Sequence, residues 1–198
     1  MPEASQMPRV ILVHGFNVRD GGAGSILQLT PFLEQAGFRV KKFRYGFLFL
    51  IGVRMFNDRF ARMLADFAEP GDVVIAHSNG GAIAHLAAAK YGAEFSHLVL
   101  INPALDSDVR FPAWLESVQV WHSPSDAPVQ WARWLPWHAW GDMGAVGYQG
   151  PYNPRVTSFN KQNGFPVSSS AHSDVFHEPA LSFFGPIIAR QILARLSA

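Results

Sequence analysis

Ser78 stands in V-V-I-A-H-S-N-G-G, residues 73–81, where an apolar run ends on a serine and passes at once into small residues. A serine at the tip of a strand and the first turn of a helix forms a nucleophile elbow, in which a sharp turn lifts the hydroxyl clear of the backbone. So tight a turn calls for small residues two before and two after the serine. Here these are Ala76 and Gly80, giving A-x-S-x-G with an alanine in the place of the usual first glycine. Gly81 extends the bare surface, so that a helix over 81–90 can lie close on a sheet and aim its amide groups at charge developing above Ser78. Serine and glycine are common at strand-to-helix turns, and the five-residue pattern gains meaning only from partners elsewhere.

A serine hydroxyl is a poor nucleophile at neutral pH and needs a histidine to take its proton and an acid to orient that histidine. On a sheet that carries an elbow, the chain order is serine, then acid, then histidine, with the last two on loops after later strands. Asp126, in H-S-P-S-D-A-P-V, follows the apolar run 117–121, and His172 lies in the small polar loop S-S-S-A-H-S-D-V-F. Asp106, after the preceding strand, competes for the place of the acid. Among the eight histidines, His122, His138 and His177 are alternatives to His172, and no metal-ligand spacing is evident, so no metal is expected. Upstream, His14-Gly15-Phe16-Asn17 closes the first strand. A glycine-containing loop there can bring backbone N–H groups beside the serine, although an ordinary βα turn reads the same way.

These groups need strands and helices to hold them. The continuous aliphatic runs 9–13, 73–77 and 97–101 read as strands buried on both faces of a parallel sheet. Residues 38–45 alternate apolar and basic residues and suggest a half-exposed strand near the sheet edge, while 117–121 and 155–159 complete the set. Between them, Ser25 is the expected N-cap of a helix carrying Ile26, Leu29, Phe32 and Leu33, which Gly37 ends. A second helix over 53–67 places Phe56, Phe60, Met63, Leu64 and Phe67 on one face, and Pro70-Gly71 stops it. Residues 129–154 hold a short helix and coil, and 179–196 form the closing helix. Strands alternating with helices give an α/β fold with a mostly parallel sheet covered on both faces.

With 198 residues, 48% hydrophobic and 16% charged, the chain fits one compact domain over 1–198. A net charge of +1 gives no electrostatic reason to expect nucleic acid as a partner. The absence of cysteine excludes disulfides and thiolate metal sites. The longest apolar run, 46–53, is far short of the ~20 residues that span a bilayer, so no stable membrane insertion is expected. No basic region followed by an apolar segment opens the sequence. A cytoplasmic location is therefore expected, although a secreted form with its signal removed would read the same. The oligomeric state is not legible.

From H-G-F through A-H-S-N-G-G, the D-A-P-V loop and the H-S-D loop, the chain resembles the α/β-hydrolase superfamily. Within it the chain looks like the small bacterial lipases and esterases with little or no lid, which also use alanine before the serine motif. The resemblance covers nearly the whole chain and implies a single-domain α/β-hydrolase fold with no large cap domain. It implies Ser78 as nucleophile, His172 as general base and then acid, Asp126 as orienting acid, and the backbone N–H groups of Phe16 and Asn79 as an oxyanion hole. The continuation Ala127-Pro128-Val129 favours Asp126 over Asp106. The activity implied is hydrolysis of a small-molecule carboxylic ester without a cofactor; amide or thioester cleavage and a catalytically silent binding module are the alternatives. Candidates for substrate contact are His14, Asn17, His77, Phe47 and Trp131. Of these, the side chain of His77 is expected to point away from the serine, and His14 to shape the oxyanion loop. Trp131, Trp134, Trp137 and Trp140 recur every third residue, a stripe suited to a covering layer or to the wall of an acyl pocket. With no insertion between the strands ending at 101 and starting at 117, an open, shallow site is expected.

Overall fold

The computed structural model describes residues 7–16, 19–46, 50–132, 140–163 and 172–197, with side chains described for all of these but 50–55 and 130–132. Six short strands form one sheet: β1 (Arg9–Val13), β2 (Arg39–Phe43), β3 (Val73–His77), β4 (His97–Ile101), β5 (Ser117–His122) and β6 (Val156–Asn160). Every pair is parallel, in the order β2-β1-β3-β4-β5-β6. β1, β3 and β4, the aliphatic runs, occupy the middle, where both faces are covered. The basic β2 takes an edge, where its charges meet water, as its alternation predicts.

Helices cover both faces. On one side α2 (Leu50–Phe67) and α3 (Asn79–Tyr91) pack over Ile11, Val13, Val74, Ala76, Leu98 and Leu100. On the other, α1 (Thr30–Gln35) and α6 (Ala180–Leu196) close over Val10, Leu12, Val73, Ile75, Val99 and Ile101. Two short helices, α4 (Ala127–Ala132) and α5 (Met143–Val146), sit at the ends of β5 and β4. The 102–116 connection contains neither helix nor strand. Among the described residues no helix is long and apolar enough to cross a membrane.

Local details depart from expectation. Ser25 makes no side-chain cap: the chain there forms a 3-10 turn, Ile26–Leu29, and the α-helix starts only at Thr30, with Pro31 in its first turn, where a missing N–H costs nothing. α2 begins at Leu50, earlier than its apolar stripe suggests, and Phe56, Met63 and Phe67 stay exposed while Ala61, Leu64 and Asn57 turn inward. Gly92, in the left-handed region at φ 66°, ends α3 and donates its N–H to the last turn.

From β1 the chain passes to β2 on one side and then returns to β3 on the other. The carboxyl ends of β1 and β3 thus flank the point where strand order reverses, the usual place for a site in an open α/β sheet. His14–Phe16 leave one of these ends and Ser78 the other.

Candidate active site

Ser78 has φ 54° and ψ −125°, a conformation that L-residues rarely adopt and that only a tightly held turn sustains. Its N–H donates to Ile101 O at 3.1 Å, and its own carbonyl accepts from Gly81 and Ala104, both at 3.0 Å. The turn is thereby fixed to β4 and the loop that follows. The small residues around it are required for reasons only partly legible in sequence. A methyl added to Gly80 would lie 2.5 Å from the His14 carbonyl oxygen and 2.7 Å from that of Val13, so the constraint comes from β1 rather than from Ala76. One added to Gly15 would sit 2.9 Å from Ser78 Cβ. The loop after β1 therefore runs directly against the serine.

His172 Nε2 lies 2.9 Å from Ser78 Oγ. On the other side of the ring, Nδ1 lies 2.9 and 3.0 Å from the two oxygens of Asp126, which is fully buried. A carboxylate only accepts, so Nδ1 carries the proton and Nε2 is left free to accept from the serine. Asp126 also accepts from Asn102 Nδ2 at 2.7 Å and from the N–H of Val129 at 3.2 Å, in the first turn of α4. Asp106 is exposed, and the acid against His172 is Asp126. Among the alternative histidines, His122 turns its Nδ1 toward Ala145 O, His177 is exposed, and His138 lies outside the described residues.

The expected substrate contacts need revision. His77 is buried; its Nε2–H donates to the His172 carbonyl at 2.9 Å, and its ring packs edge-on against Phe176. Burial first, then the proximity of His172, pushes its pKa well below 6.5, so it stays neutral and holds the His172 backbone from the interior. His14 is also buried, donates Nδ1–H to Gly15 O at 2.9 Å and stacks on Tyr45 at 4.2 Å between ring centroids. It shapes the loop, and burial lowers its pKa. Asn17 and Phe47 lie outside the described residues, as does the side chain of Trp131; of the tryptophan stripe, Trp140 meets Phe16 edge to face at 5.1 Å.

Several residues at the site carried no sequence signal. The Tyr45 hydroxyl contacts both the His14 and Gly15 carbonyls, at 2.8 and 2.9 Å, and burial raises its pKa, so it remains a donor. Holding those two carbonyls on the tyrosine side fixes the peptide planes that lead into Phe16. Asn57 of α2 and Asn79 exchange two amide hydrogen bonds of 2.9 Å in the interior. They tie the residue after the serine to the neighbouring helix. Asn102 directly follows β4; its φ of 44° is one that asparagine tolerates better than most residues, and it aims the amide at Asp126. Among the described residues no three metal-binding side chains come together.

A nucleophile, a base and a buried acid in hydrogen-bonded series, with backbone amides close by, can carry out acyl transfer. No curated protein matches the sequence. Solved structures do: α/β-hydrolase domain-containing protein 10 from mouse has a TM-score of 0.58 at 15% identity, over 93% of this chain and 89% of its own. A monoacylglycerol lipase from Paleococcus ferrophilus reaches 0.54 at 13% identity, over 96% of both chains. Est1E from Butyrivibrio proteoclasticus, solved with ferulic acid, reaches 0.53 at 14%, over 100% and 94%. At these identities the likeness is one of fold. The family model for serine aminopeptidase, S33, matches residues 5–134, more than half of the sequence, and the chain belongs to that family of α/β-hydrolases.

Proposed function

We propose that the protein hydrolyses carboxylic esters through an acyl-enzyme on Ser78. The observation that carries this reading is the unbroken series Ser78 Oγ, His172, Asp126, with both imidazole nitrogens within 3.0 Å of their partners and the acid fully buried. Ser78 Oγ attacks the ester carbonyl while its proton passes to His172 Nε2, and Asp126 stabilises the imidazolium that forms. The backbone N–H groups of Phe16 and Asn79 are the donors proposed for the tetrahedral oxyanion; the contact of Gly15 with Ser78 supports this role for the first. His172 then protonates the departing alkoxide. Water, giving its proton to the same nitrogen, cleaves the acyl-enzyme, and Ser78 recovers its hydrogen with release of the acid. The chemistry requires no cofactor.

Ester substrates are favoured by the names of two structural neighbours, a monoacylglycerol lipase and a protein with ferulic acid bound. The name of the family favours amide cleavage as a second reading. Turnover of p-nitrophenyl acetate and butyrate against that of aminoacyl p-nitroanilides separates the two. Ser78→Ala should remove ester turnover and labelling by a fluorophosphonate, read by intact mass, while leaving the fold intact. Ester turnover retained by the folded variant, or a folded wild type that neither turns over esters nor labels, would overturn the proposal.

A further inference from the structure

We propose that the ion pair between the buried Lys161 and Asp174 positions His172, clamping the loop that carries the base and balancing the charge of the second carboxylate near it. The inference rests on the reading of His172 as the general base.

Lys161 follows β6 directly and extends its ladder, its N–H donating to His122 O at 2.9 Å. Its side chain is 0% exposed, and Nζ donates to Asp174 Oδ1 at 2.5 Å. Asp174 comes two residues after His172 and opens a 3-10 turn, Asp174–Phe176, where Oδ1 also accepts the N–H of Val175 at 2.8 Å. The pair therefore connects the end of the outermost strand to the loop of the base. Among the described residues, the His77 bond to the His172 carbonyl and the Asp126 bond to its ring also fix that loop. Lys161 reaches the base through Asp174, which stands two residues after His172.

Burying a lysine and a carboxylate costs several kcal/mol in desolvation, and replacing such a pair by apolar groups often stabilises a protein. Packing alone is thus a poor reason for it. Charge supplies a better one. Among the described residues, Asp126 bonds the ring of the base, Asp174 stands two residues along the chain with the Lys161 cation paired to it, and burial lowers the pKa of the His77 and His122 imidazoles. Lys161 is close enough to Asp126 to feel its charge as well as that of Asp174. Without the lysine, two uncompensated carboxylates would lie near the base and favour its protonated form over the one that accepts from Ser78. With it, a single net negative charge remains, enough to orient the ring and stabilise the imidazolium.

The test combines turnover against pH with NMR titration of the His172 ring in wild type, Lys161→Met, Asp174→Asn and the double variant. Lys161→Met should raise the His172 pKa and move the acid limb of kcat/KM upward by about one pH unit. The double variant should return both to near wild type and regain the thermal midpoint, yet keep the plateau kcat down by about tenfold or more with KM unchanged, because the clamp is gone. An unmoved His172 pKa in folded Lys161→Met, or full kcat in the double variant, would overturn the inference. Should Lys161→Met fail to fold, the double variant, which buries no unpaired charge, decides through its plateau kcat. The NMR titration needs no turnover, so a wild type inert toward esters would sink the functional reading and leave this one tested.

Discussion

At the scale of single residues, the polar atoms at the site are held by groups that do not themselves react. Asp126 is the clearest case: one oxygen takes the Asn102 amide at 2.7 Å, and both face the His172 ring. A hydrogen bond to a buried charge is worth about 1.5–3 kcal/mol, and losing one leaves the carboxylate free to turn away from the ring. Asn102→Gly, which keeps the left-handed backbone but removes the amide, should lower kcat by about tenfold or more with little change in KM, given about 1.4 kcal/mol per factor of ten. Asp106→Asn, on an exposed residue, should stay near wild type. Steady-state kinetics on the two variants would reveal the ranking, and the reverse order would move the acid to Asp106.

At the scale of elements, the turn between β3 and α3 depends on its neighbour β1. A methyl at Gly80 would meet two backbone oxygens of β1, which cannot rotate away as a side chain could. Gly80→Ala should therefore cost about 1–3 kcal/mol and displace the loop that ends in Phe16. Gly92, at the far end of the same helix, offers open space and only a positive φ. Its replacement by alanine should cost about 1 kcal/mol and leave turnover intact. Melting curves and turnover on the pair distinguish a loss of fold from a loss of site.

The same contrast explains how much could be read in advance. Strands β1, β3 and β4 stood out because continuous aliphatic runs have few other uses, and Ser78, Asp126 and His172 because they follow one another in the chain order that such a sheet requires. Tyr45, Asn57, Lys161 and Asp174 did not stand out, since the side-chain partners that place them lie 13 to 31 residues away and no local pattern announces them. The expected apolar face of α2 is split for a related reason, with Leu64 buried and Phe56, Met63 and Phe67 exposed. Its aromatic stripe is more apolar than the face carrying Asn57, Ala61 and Leu64, yet that face fits against α3 and the Asn79 amide.

For the whole molecule, the histidines set a pH dependence. His14, His77, His85, His97 and His122 all have pKa values pushed below 6.5, in each case chiefly by burial. On unfolding they regain ordinary values and take up protons near 6.5 that the folded protein refuses until lower pH. The stability they contribute is complete above pH 6.5 and is lost as pH falls through the lowered folded values. The urea midpoint should hold between pH 8 and 7 and drop steeply toward pH 5, with net proton uptake on unfolding. A midpoint that is flat or rises on acidification would contradict this account.

Two non-glycine residues in the described chain have positive φ, Ser78 at 54° and Asn102 at 44°, and they end adjacent strands of the sheet. One is the proposed nucleophile; the other holds the acid. With every side chain stripped away, the backbone alone would still carry the address of the site, written as two dihedral angles out of place at neighbouring strand ends.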